Sequence, residues 1–360
     1  MVDPGRRWRR LPDSIQQNQN IFIMKKEYSI MKKVISLILT IMMIVSVFSG
    51  CASSKPDSTP ASDKTFRVAI VQQLDHSSLD EIRTAIIAQM NALADEKGVT
   101  LTIDEYNGQN DNTLLNQIGA QVMDKKTDLI IPIATQAALS MVTAAEGTDT
   151  PIVYAAISDP ESAGLTGLPT VTGVSDALNT VFNLDMMLAC QPDVKTVGLL
   201  YSNSEVNSIT PIAEAKAYLD AKGIAYLEKT GNTTGEITEA AASMVGRVDA
   251  VFTPTDNAVM AAEASVAEIL NAAGIPHYTG ADSFVLSGAF ATCGVNYTEL
   301  GTKVADMAFD ILMGGEIPSD FHVMDGGIIT VNTDTAKQVG VDYSVFATMA
   351  NTVKEVVTGE

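Results

Sequence analysis

Histidine and cysteine are scarce in this chain, and their scarcity limits the chemistry that its side chains can perform. The 360 residues include three of each, namely His76, His277, His322, Cys51, Cys190 and Cys293. No CxxC pair or His/Cys cluster has metal-site spacing, and no nucleophile elbow, Walker loop or GxGxxG turn is found. We therefore expect no catalytic residues, no metal and no cofactor, in a protein that is not an enzyme.

The cysteines at 190 and 293 lie in apolar stretches of the sequence. We expect them to be separate buried thiols. A disulfide between them is the alternative if the chain is exported, because disulfides persist in oxidising compartments.

Basic residues are few, particularly in the part of the chain after residue 50. From Cys51 onward, 15 lysines and arginines stand against 40 aspartates and glutamates, a net charge of −25. Such a surface repels phosphate backbones, which argues against a nucleic-acid partner. It also repels anionic lipid, so attachment to a membrane would need a tether other than a basic patch. The only tryptophan, Trp8, lies before this part of the chain.

Long apolar runs are absent apart from one near the start, MKKVISLILTIMMIVSVFSG at residues 31–50. Its two lysines, its apolar stretch of about fifteen residues and its small final residues are the three parts of a secretory signal peptide. The stretch is shorter than the roughly 20 residues that span a bilayer. It ends directly before Cys51, an arrangement that resembles the bacterial lipobox, in which the cysteine is diacylated and the chain is cut just before it.

We expect residues 31–50 to be a lipoprotein signal peptide and residues 51–64 to be a lipid anchor and polar linker. Palmitate or a related acyl chain on Cys51 would hold the protein at the membrane, since two acyl chains anchor firmly. An ordinary signal peptide with an incidental cysteine is the alternative. Residues 1–30 show no core periodicity, and we expect them to be an over-extended N-terminus before an initiator at Met31 or Met24.

From residue 66 the sequence alternates between short β-branched runs and amphipathic helical patterns. The predicted strands are 66–71, 101–106, 129–134, 151–157, 196–201, 225–230, 250–255, 289–295 and 328–331, and the predicted helices between them are 78–97, 112–125, 136–146, 177–189, 205–222, 235–246, 258–273 and 299–313. Such alternation indicates βαβ units and parallel sheets. The pattern nearly restarts, which predicts an α/β fold of two Rossmann-like lobes, formed by 65–177 plus 282–321 and by 178–281 plus 322–357.

Polar residues follow the predicted strands one after another. They are Gln72-Gln73, Asn107, Thr135-Gln136, Ser158-Asp159, Ser202-Asn203, Thr255-Asp256-Asn257 and Gly280-Ala281-Asp282. Ligands of open α/β sheets bind outside the carboxyl ends of the strands, beside helix N-termini. Each residue alone could merely cap a helix. Together they predict a ligand cleft between two facing lobes.

Several stretches resemble one known family, the substrate-binding lipoproteins of ABC transporters, in the branch that includes tryptophan and tyrosine binders. They are QQLDHSSLD (72–80), IATQAA (133–138), ISDP (157–160), GLLYSNSEVNS (198–208), VFTPTDN (251–257), GADSFVLSGAFATCGVNYTELG (280–301) and VNTDTAKQVG (331–340). The resemblance implies a type I periplasmic-binding fold that closes on a small solute. It implies an exported protein, lipid-anchored on the extracytoplasmic face of the cell membrane, that works with ABC permease and ATPase subunits.

An amino acid requires a receptor for its carboxylate and another for its ammonium group. Thr135 and Ser158 are the carboxylate candidates, and Asp256 and Asp282 are the ammonium candidates. Tyr201 and Tyr297 are residues that could stack on an aromatic ligand. The full set of predicted ligand-binding residues is Gln72, Gln73, His76, Thr135, Gln136, Ser158, Asp159, Glu205, Asn207, Ser208, Asp256, Asn257 and Asp282.

The function that these patterns favour is that of a monomeric solute-binding protein of an ABC importer, with an aromatic or other hydrophobic amino acid as ligand. Two alternatives stay open. The same fold could bind a nucleoside or another small organic solute, or it could report its ligand to a signalling receptor instead of a permease.

Overall fold

Two β-sheets form the framework of the computed structural model, which describes residues 64–359. The strands are β1 (Thr65–Gln72), β2 (Thr100–Asn107), β3 (Leu129–Ile133), β4 (Ile152–Ala155), β5 (Val171–Ser175), β6 (Thr196–Tyr201), β7 (Ala225–Thr230), β8 (Ala250–Thr253), β9 (His277–Thr279), β10 (Ala291–Gly294), β11 (His322–Val323), β12 (Ile328–Asn332) and β13 (Thr352–Val356). The first sheet has the order β11-β5-β4-β3-β1-β2 and the second the order β13-β12-β10-β9-β8-β6-β7. The pairing of β10 with β12 is antiparallel, and the other pairings in both sheets are parallel.

Helices lie between most of the consecutive parallel strands, as parallel connections require. They are α1 (Ser77–Lys97), α2 (Asn112–Asp124), α3 (Thr135–Ala144), α4 (Thr180–Cys190), α5 (Ile209–Lys222), α6 (Thr234–Ala242), α7 (Asn257–Met260), α8 (Glu263–Ala272), α9 (Asp282–Leu286), α10 (Tyr297–Leu312), α11 (Thr333–Val339) and α12 (Phe346–Met349). A single 3₁₀ turn, Val206–Ser208, directly precedes α5. The predicted α/β fold with two parallel-sheet lobes is confirmed.

Helix α10 crosses back to the first lobe and packs against α1. Its face toward α1 includes Gly301, where an added Cβ would lie 2.6 Å from the carbonyl oxygen of Ile82 and 2.7 Å from the Cβ of Ala85. Ile82, Leu300 and Val304 are fully buried in this contact region. The absence of a side chain at residue 301 therefore lets the two helices approach closely, which fixes α10 on the first lobe.

The chain passes between the two sheets at three places. It leaves the first sheet after β5, returns after β10 to form α10 and β11, and leaves again before β12. Residues 176–179, 295–296 and 324–327 connect the lobes at these points. Three short crossovers therefore join the two lobes.

The strand pairing corrects the predicted lobe boundaries at two positions. Helix α9 and strand β10 lie in 282–294, which we assigned to the first lobe, yet β10 pairs with β9 and β12 in the second sheet. Strand β11 lies in the segment that we assigned to the second lobe, yet His322 pairs with Val174 in the first sheet. Both differences arise because the chain crosses between the lobes after β10 and after β11. The sequence pattern predicted a late helix in the first lobe and a return to the second lobe, but it did not indicate at which residues the chain crosses.

The predicted strands and helices are present, with ends that shift by a few residues, except that the predicted helix 258–273 is divided into α7 and α8. The short helices α9, α11 and α12 were missed, and so were four short strands. These are β5, β9, β11 and β13. Cys190 is half-buried and Cys293 buried, and both are free thiols, as expected. Among the described residues, no helix is long and apolar enough to cross a membrane. The predictions for residues 1–30, for the signal peptide at 31–50 and for Cys51 fall outside the described residues.

Candidate ligand-binding site

The residues directly after β3 and β4 have unusual backbone conformations. Ala134 follows β3 with φ 74° and ψ 162°, and Ala156 follows β4 with φ 56°. A left-handed φ is unfavourable for any residue with a Cβ, at a cost of about 1–3 kcal/mol where it persists. Both alanines line the same cavity. Of the five non-glycine residues with positive φ within residues 64–359, two therefore line the cavity.

The cavity lies between the lobes and is lined by residues of both. Its polar lining consists of His76, Ser78, Thr135, Ser158, Asp176, Asn207, Thr255, Asp256, Asn257, Ser283 and Tyr297. Its apolar lining consists of Leu79, Ala134, Ala156, Met260, Ala281 and Phe284. The mixture of one apolar wall with several hydrogen-bonding groups is typical of a small-molecule site.

Six of the predicted ligand-binding residues line this cavity, and seven do not. Those that line it are His76, Thr135, Ser158, Asn207, Asp256 and Asn257. Those that lie outside its lining are Gln72, Gln73, Gln136, Asp159, Glu205, Ser208 and Asp282. The second group divides into residues that hold the lobes together and residues that stabilise local structure.

Asp256 is buried, but its carboxylate is already occupied by protein donors. Its Oδ2 accepts hydrogen bonds from the backbone N–H of Ser202 and the hydroxyl of Ser208, both at 2.7 Å. Its Oδ1 accepts one from the backbone N–H of Val259 at 2.9 Å, which caps helix α7. These contacts assign Asp256 and Ser208 to the structure of the second lobe.

Another carboxylate in the lining is that of Asp176, which the sequence patterns did not indicate. It accepts hydrogen bonds from the hydroxyls of Ser158, at 3.0 Å, and Tyr297, at 3.3 Å. The Ser158 hydroxyl also contacts that of Thr255 at 2.8 Å. We refer to Asp176, Ser158, Thr255 and Tyr297 as the Asp176 cluster. Burial raises the pKa of Asp176 above its usual range, against the hydrogen bonds that lower it.

A second buried carboxylate, that of Glu205, is held by amides from both lobes. Its Oε1 accepts a hydrogen bond from Gln73 Nε2 and its Oε2 one from Asn257 Nδ2, each at 2.8 Å. The other amide atom of Asn257, Oδ1, lies 3.1 Å from His76 Nε2. We refer to Glu205, Gln73, Asn257 and His76 as the Glu205 cluster. Burial, together with repulsion from Asp256, raises the pKa of Glu205 to about 7.

Further hydrogen bonds join the lobes around the cavity. Gln136 Nε2 donates to the backbone oxygen of Ser204 at 2.9 Å, and the hydroxyl of Thr210 donates to Asp159 at 2.6 Å. The contacts between Gln73 and Glu205, between His76 and Asn257, and between Ser158 and Thr255 also run from one lobe to the other. The two lobes are thus in a closed arrangement, and Gln73, Gln136, Asp159 and Glu205 belong to the contacts that hold it.

Two predicted residues have local roles. Gln72 turns its Nε2 toward the backbone oxygen of Leu74, at 2.7 Å, and toward the carboxylate of Asp80, at 2.9 Å. Asp282 lies in the first turn of α9, where burial and repulsion from Glu81 raise its pKa. The neighbouring Ser283 lines the cavity in its place.

Four buried side-chain atoms on lining residues have no hydrogen-bond partner within residues 64–359. They are His76 Nδ1, Ser78 Oγ, Asn207 Oδ1 and Ser283 Oγ. Most buried polar groups in proteins are paired, because an unpaired one costs about 1–3 kcal/mol. Four such atoms around one cavity indicate that a polar ligand completes the site.

The aromatic candidates separate clearly. Tyr297 lines the cavity together with Phe284, whereas Tyr201 donates its hydroxyl to Glu228 at 2.9 Å, away from it. Among the described residues, no group of histidine, cysteine and acidic side chains is arranged to hold a metal ion. The arrangement therefore suits a small organic solute with both charged and aromatic parts.

Comparison with known proteins gives one family. The sequence model of the ABC transporter substrate binding protein family matches residues 67–353. A tyrosine-binding protein of Clostridioides difficile (strain R20291) is 31% identical over 320 residues, which cover 85% of this chain and 92% of that protein.

Two solved structures extend the comparison. An ABC domain in complex with L-Trp from Streptococcus pneumonia is 29% identical, covers 81% of this chain and 100% of its own, and has a TM-score of 0.74. The ligand-free, open structure of a substrate binding protein with adhesive properties from Clostridium difficile is 30% identical, covers 81% of this chain and 99% of its own, and has a TM-score of 0.61. At nearly equal identity, the fold is more similar to the ligand complex, in agreement with the closed lobes.

Proposed function

The chain belongs to the ABC transporter substrate binding protein family, whose type I periplasmic-binding fold it shares, and from that premise we propose that it captures an aromatic amino acid for an ABC importer. The observation that carries this proposal is the cavity between the lobes, in which a buried carboxylate, unpaired polar atoms and aromatic side chains meet. Related proteins named for tyrosine binding or solved with L-Trp support the same ligand class.

The carboxylate of Asp176 is the proposed receptor for the ligand's ammonium group. Its side-chain partners are hydroxyls, which can turn to accommodate a new neighbour, and neither of them carries a positive charge. A buried carboxylate without a cationic partner is unfavourable, and burial already raises the pKa of this one. An ammonium group would stabilise the charged form. Asp256, our candidate from the sequence, is instead saturated by three protein donors.

The ligand's carboxylate would lie at the start of helix α3. The residue before this helix is Ala134, whose side chain cannot cap it, and the helix is ten residues long. In its first turn the backbone N–H of Gln136 already donates to Gln73 Oε1 at 3.2 Å, and the N–H groups of the turn that remain would favour an anion. Thr135, buried at this position, supplies a hydroxyl as well.

The lipid anchor and the location of the protein are part of the same proposal. Cys51 would carry the acyl chains that hold the binding domain on the extracytoplasmic face of the cell membrane, next to the permease and ATPase subunits that it serves. A Cys51→Ser variant should lose palmitate labelling and leave the membrane fraction. Retention of the variant in the membrane at the wild-type level would contradict the anchor.

Calorimetric titration of the purified protein tests the ligand class. We expect tight binding among tryptophan, tyrosine and phenylalanine, weaker binding of leucine, and no binding of adenosine. Binding should also raise the melting temperature, because a ligand that binds only the native state stabilises it by mass action. Binding of adenosine with none of the amino acids would overturn the proposed ligand but not the family.

A further inference from the structure

Three of the four unpaired atoms lie where the cavity is also apolar. His76 and Ser78 are followed by Leu79 at the start of α1, and Ser283 is followed by Phe284 on α9, a helix that packs against α1. Ser78 and Ser283 are at least 97% buried. This end of the cavity, which we call the ring pocket, thus combines apolar walls with polar atoms that lack partners.

We propose that His76 Nδ1 accepts a hydrogen bond from the ligand's side chain, so that the ring pocket selects aromatic amino acids that carry an N–H or O–H group. The proposal rests on the proposed function, because it assumes that an aromatic amino acid occupies the cavity. It adds the feature by which the protein would distinguish tryptophan and tyrosine from phenylalanine.

The argument begins with Gln73, whose amide can be oriented from its neighbours. The backbone N–H of Gln136 donates to Gln73 Oε1 at 3.2 Å, so this atom must be the oxygen. The amide nitrogen of Gln73 then faces the Oε1 of Glu205 at 2.8 Å and donates to it. A backbone donor therefore fixes which end of the Gln73 amide meets the carboxylate.

The same reasoning carries from Glu205 to His76. The ionised carboxylate of Glu205 can only accept, so the Asn257 atom 2.8 Å from its Oε2 is the amide nitrogen. Asn257 must then present its oxygen to His76 Nε2 at 3.1 Å. Because that oxygen only accepts, Nε2 carries the hydrogen.

His76 is neutral, since burial lowers its pKa below the usual value despite the hydrogen bond to Asn257 and the charges of Asp80 and Asp75. A neutral imidazole has one hydrogen, and Nε2 holds it. Nδ1 is therefore a lone-pair acceptor, and it has no partner in the part of the chain that the structure describes. It requires a donor from the ligand.

The position of the Glu205 cluster favours the ligand's side chain, and not its ammonium group, as the hydrogen-bond partner of His76. Met260 lies one helical turn after Asn257 and lines the cavity, as Leu79 does near His76. These side chains would contact the faces of a ring. The ammonium group has a stronger receptor in the carboxylate of Asp176, which belongs to the other cluster.

The three natural aromatic ligands should then differ in a predictable way. An indole N–H only donates, a phenol O–H donates and accepts, and a phenyl ring does neither. Leaving a buried acceptor unpaired should weaken phenylalanine binding by about 10- to 100-fold relative to tryptophan or tyrosine. Sites that pair with a ligand hydroxyl can reject its deoxy analogue even more strongly.

The first test is calorimetric titration of the wild-type protein with L-tryptophan, L-tyrosine and L-phenylalanine at pH 8, where Glu205 is ionised. We expect phenylalanine to bind at least tenfold more weakly than the better of the other two. A His76→Leu variant should remove most of this difference, and the matched His322→Leu variant, at an exposed position of β11, should keep it. Phenylalanine binding as tightly as both others would overturn the proposal.

A Glu205→Gln variant tests the orientation argument itself. A glutamine would accept from Gln73 with its oxygen and donate to Asn257 with its nitrogen, which turns the Asn257 amide around. His76 Nε2 would then accept, and Nδ1 would carry the hydrogen. Tryptophan, which can only donate to Nδ1, should lose about tenfold more affinity than tyrosine, which can also accept. Equal losses of affinity for all three ligands in this variant would contradict the proposal. If the wild-type protein bound none of the three ligands, the proposed function would be refuted instead.

Discussion

The two clusters beside the cavity are both built around a buried carboxylate, yet they hold it in different ways. In the Asp176 cluster the carboxylate is surrounded by hydroxyls of Ser158 and Tyr297, which rotate freely and can both donate and accept. In the Glu205 cluster it is held by the amides of Gln73 and Asn257, whose two ends are chemically distinct. One cluster adapts to its neighbour, and the other imposes an orientation on it.

This difference matches the two parts of an amino-acid ligand. The ammonium group is the same in every amino acid and needs only a charged acceptor. The side chain varies, and its recognition needs an atom whose hydrogen-bonding role is fixed. The comparison suggests that the Asp176 cluster supplies affinity for all amino acids, while the Glu205 cluster supplies selectivity and also joins the two lobes.

The largest effect should follow from removing the charge of Asp176. An Asp176→Asn variant leaves a buried ammonium group without its partner, which costs about 3–5 kcal/mol, so tryptophan affinity should fall by about a hundredfold or more. Calorimetry measures the change. As a control, Asp282→Asn, which removes a predicted acidic residue outside the cavity lining, should bind as the wild type does. Similar losses in both variants would contradict the role of Asp176.

Replacing Asp256 should lower the stability of the fold more than the affinity for the ligand. In an Asp256→Asn variant one of the three donors, Ser202 N–H, Ser208 hydroxyl or Val259 N–H, would face an amide nitrogen. Loss of this cap and its buried partners should lower the free energy of unfolding by about 2 kcal/mol. Urea denaturation without ligand gives this value, and Asp176→Asn should change it much less. The reverse ranking would show that Asp176 is the structural carboxylate.

The pH dependence of stability should reveal the Glu205 cluster. Glu205 has a pKa of about 7 in the folded protein against an ordinary value of 4.5, with Asp256 as the charged group that faces it among neutral amides. Its favourable contribution is therefore complete below pH 4.5 and is lost as the pH rises through 7. Glu205→Gln removes this loss, and its melting temperature should exceed the wild-type value at pH 8 by about 2–4 °C. A constant offset from pH 5 to pH 8 would contradict the raised pKa.

The smallest effect should come from Tyr297, the outer member of the Asp176 cluster. Its hydroxyl lies 3.3 Å from the Asp176 carboxylate, a long hydrogen bond beside the closer one from Ser158. A Tyr297→Phe variant should bind tryptophan about threefold more weakly, while its unfolding free energy stays nearly unchanged. A loss as large as that of Asp176→Asn would mean that the tyrosine, and not the carboxylate, contacts the ligand's ammonium group.

The fold was largely accessible from the sequence because buried parallel strands are continuous apolar runs. Strand β3, Leu129–Ile133, is buried at every position, and its pattern predicted it directly. Strand β5 was missed because Gly173 and Thr172 interrupt its apolar pattern. An added Cβ at residue 173 would lie 2.3 Å from the carbonyl oxygen of Tyr154, so close packing against β4 requires the glycine.

The candidate site could be predicted from the sequence only in part, and one reason is that strand β5 was missed. Asp176 comes directly after β5, so the rule that polar residues follow strands would have found it once β5 was known. The polar run that ends at Asp282 was expected at a strand end although β9 itself was missed, but successive helical residues such as Asp282 and Ser283 point about 100° apart. Which of the two enters the cavity depends on how α9 lies against α1, and the sequence pattern does not contain that angle.

A crystal structure of the protein with L-tryptophan tests the central comparison most directly, because it shows both ends of the ligand at once. We expect the ammonium group within about 3 Å of the Asp176 carboxylate and the indole N–H within about 3 Å of His76 Nδ1. An ammonium group on Asp256, or an indole ring outside the ring pocket, would contradict the division of roles between the two clusters.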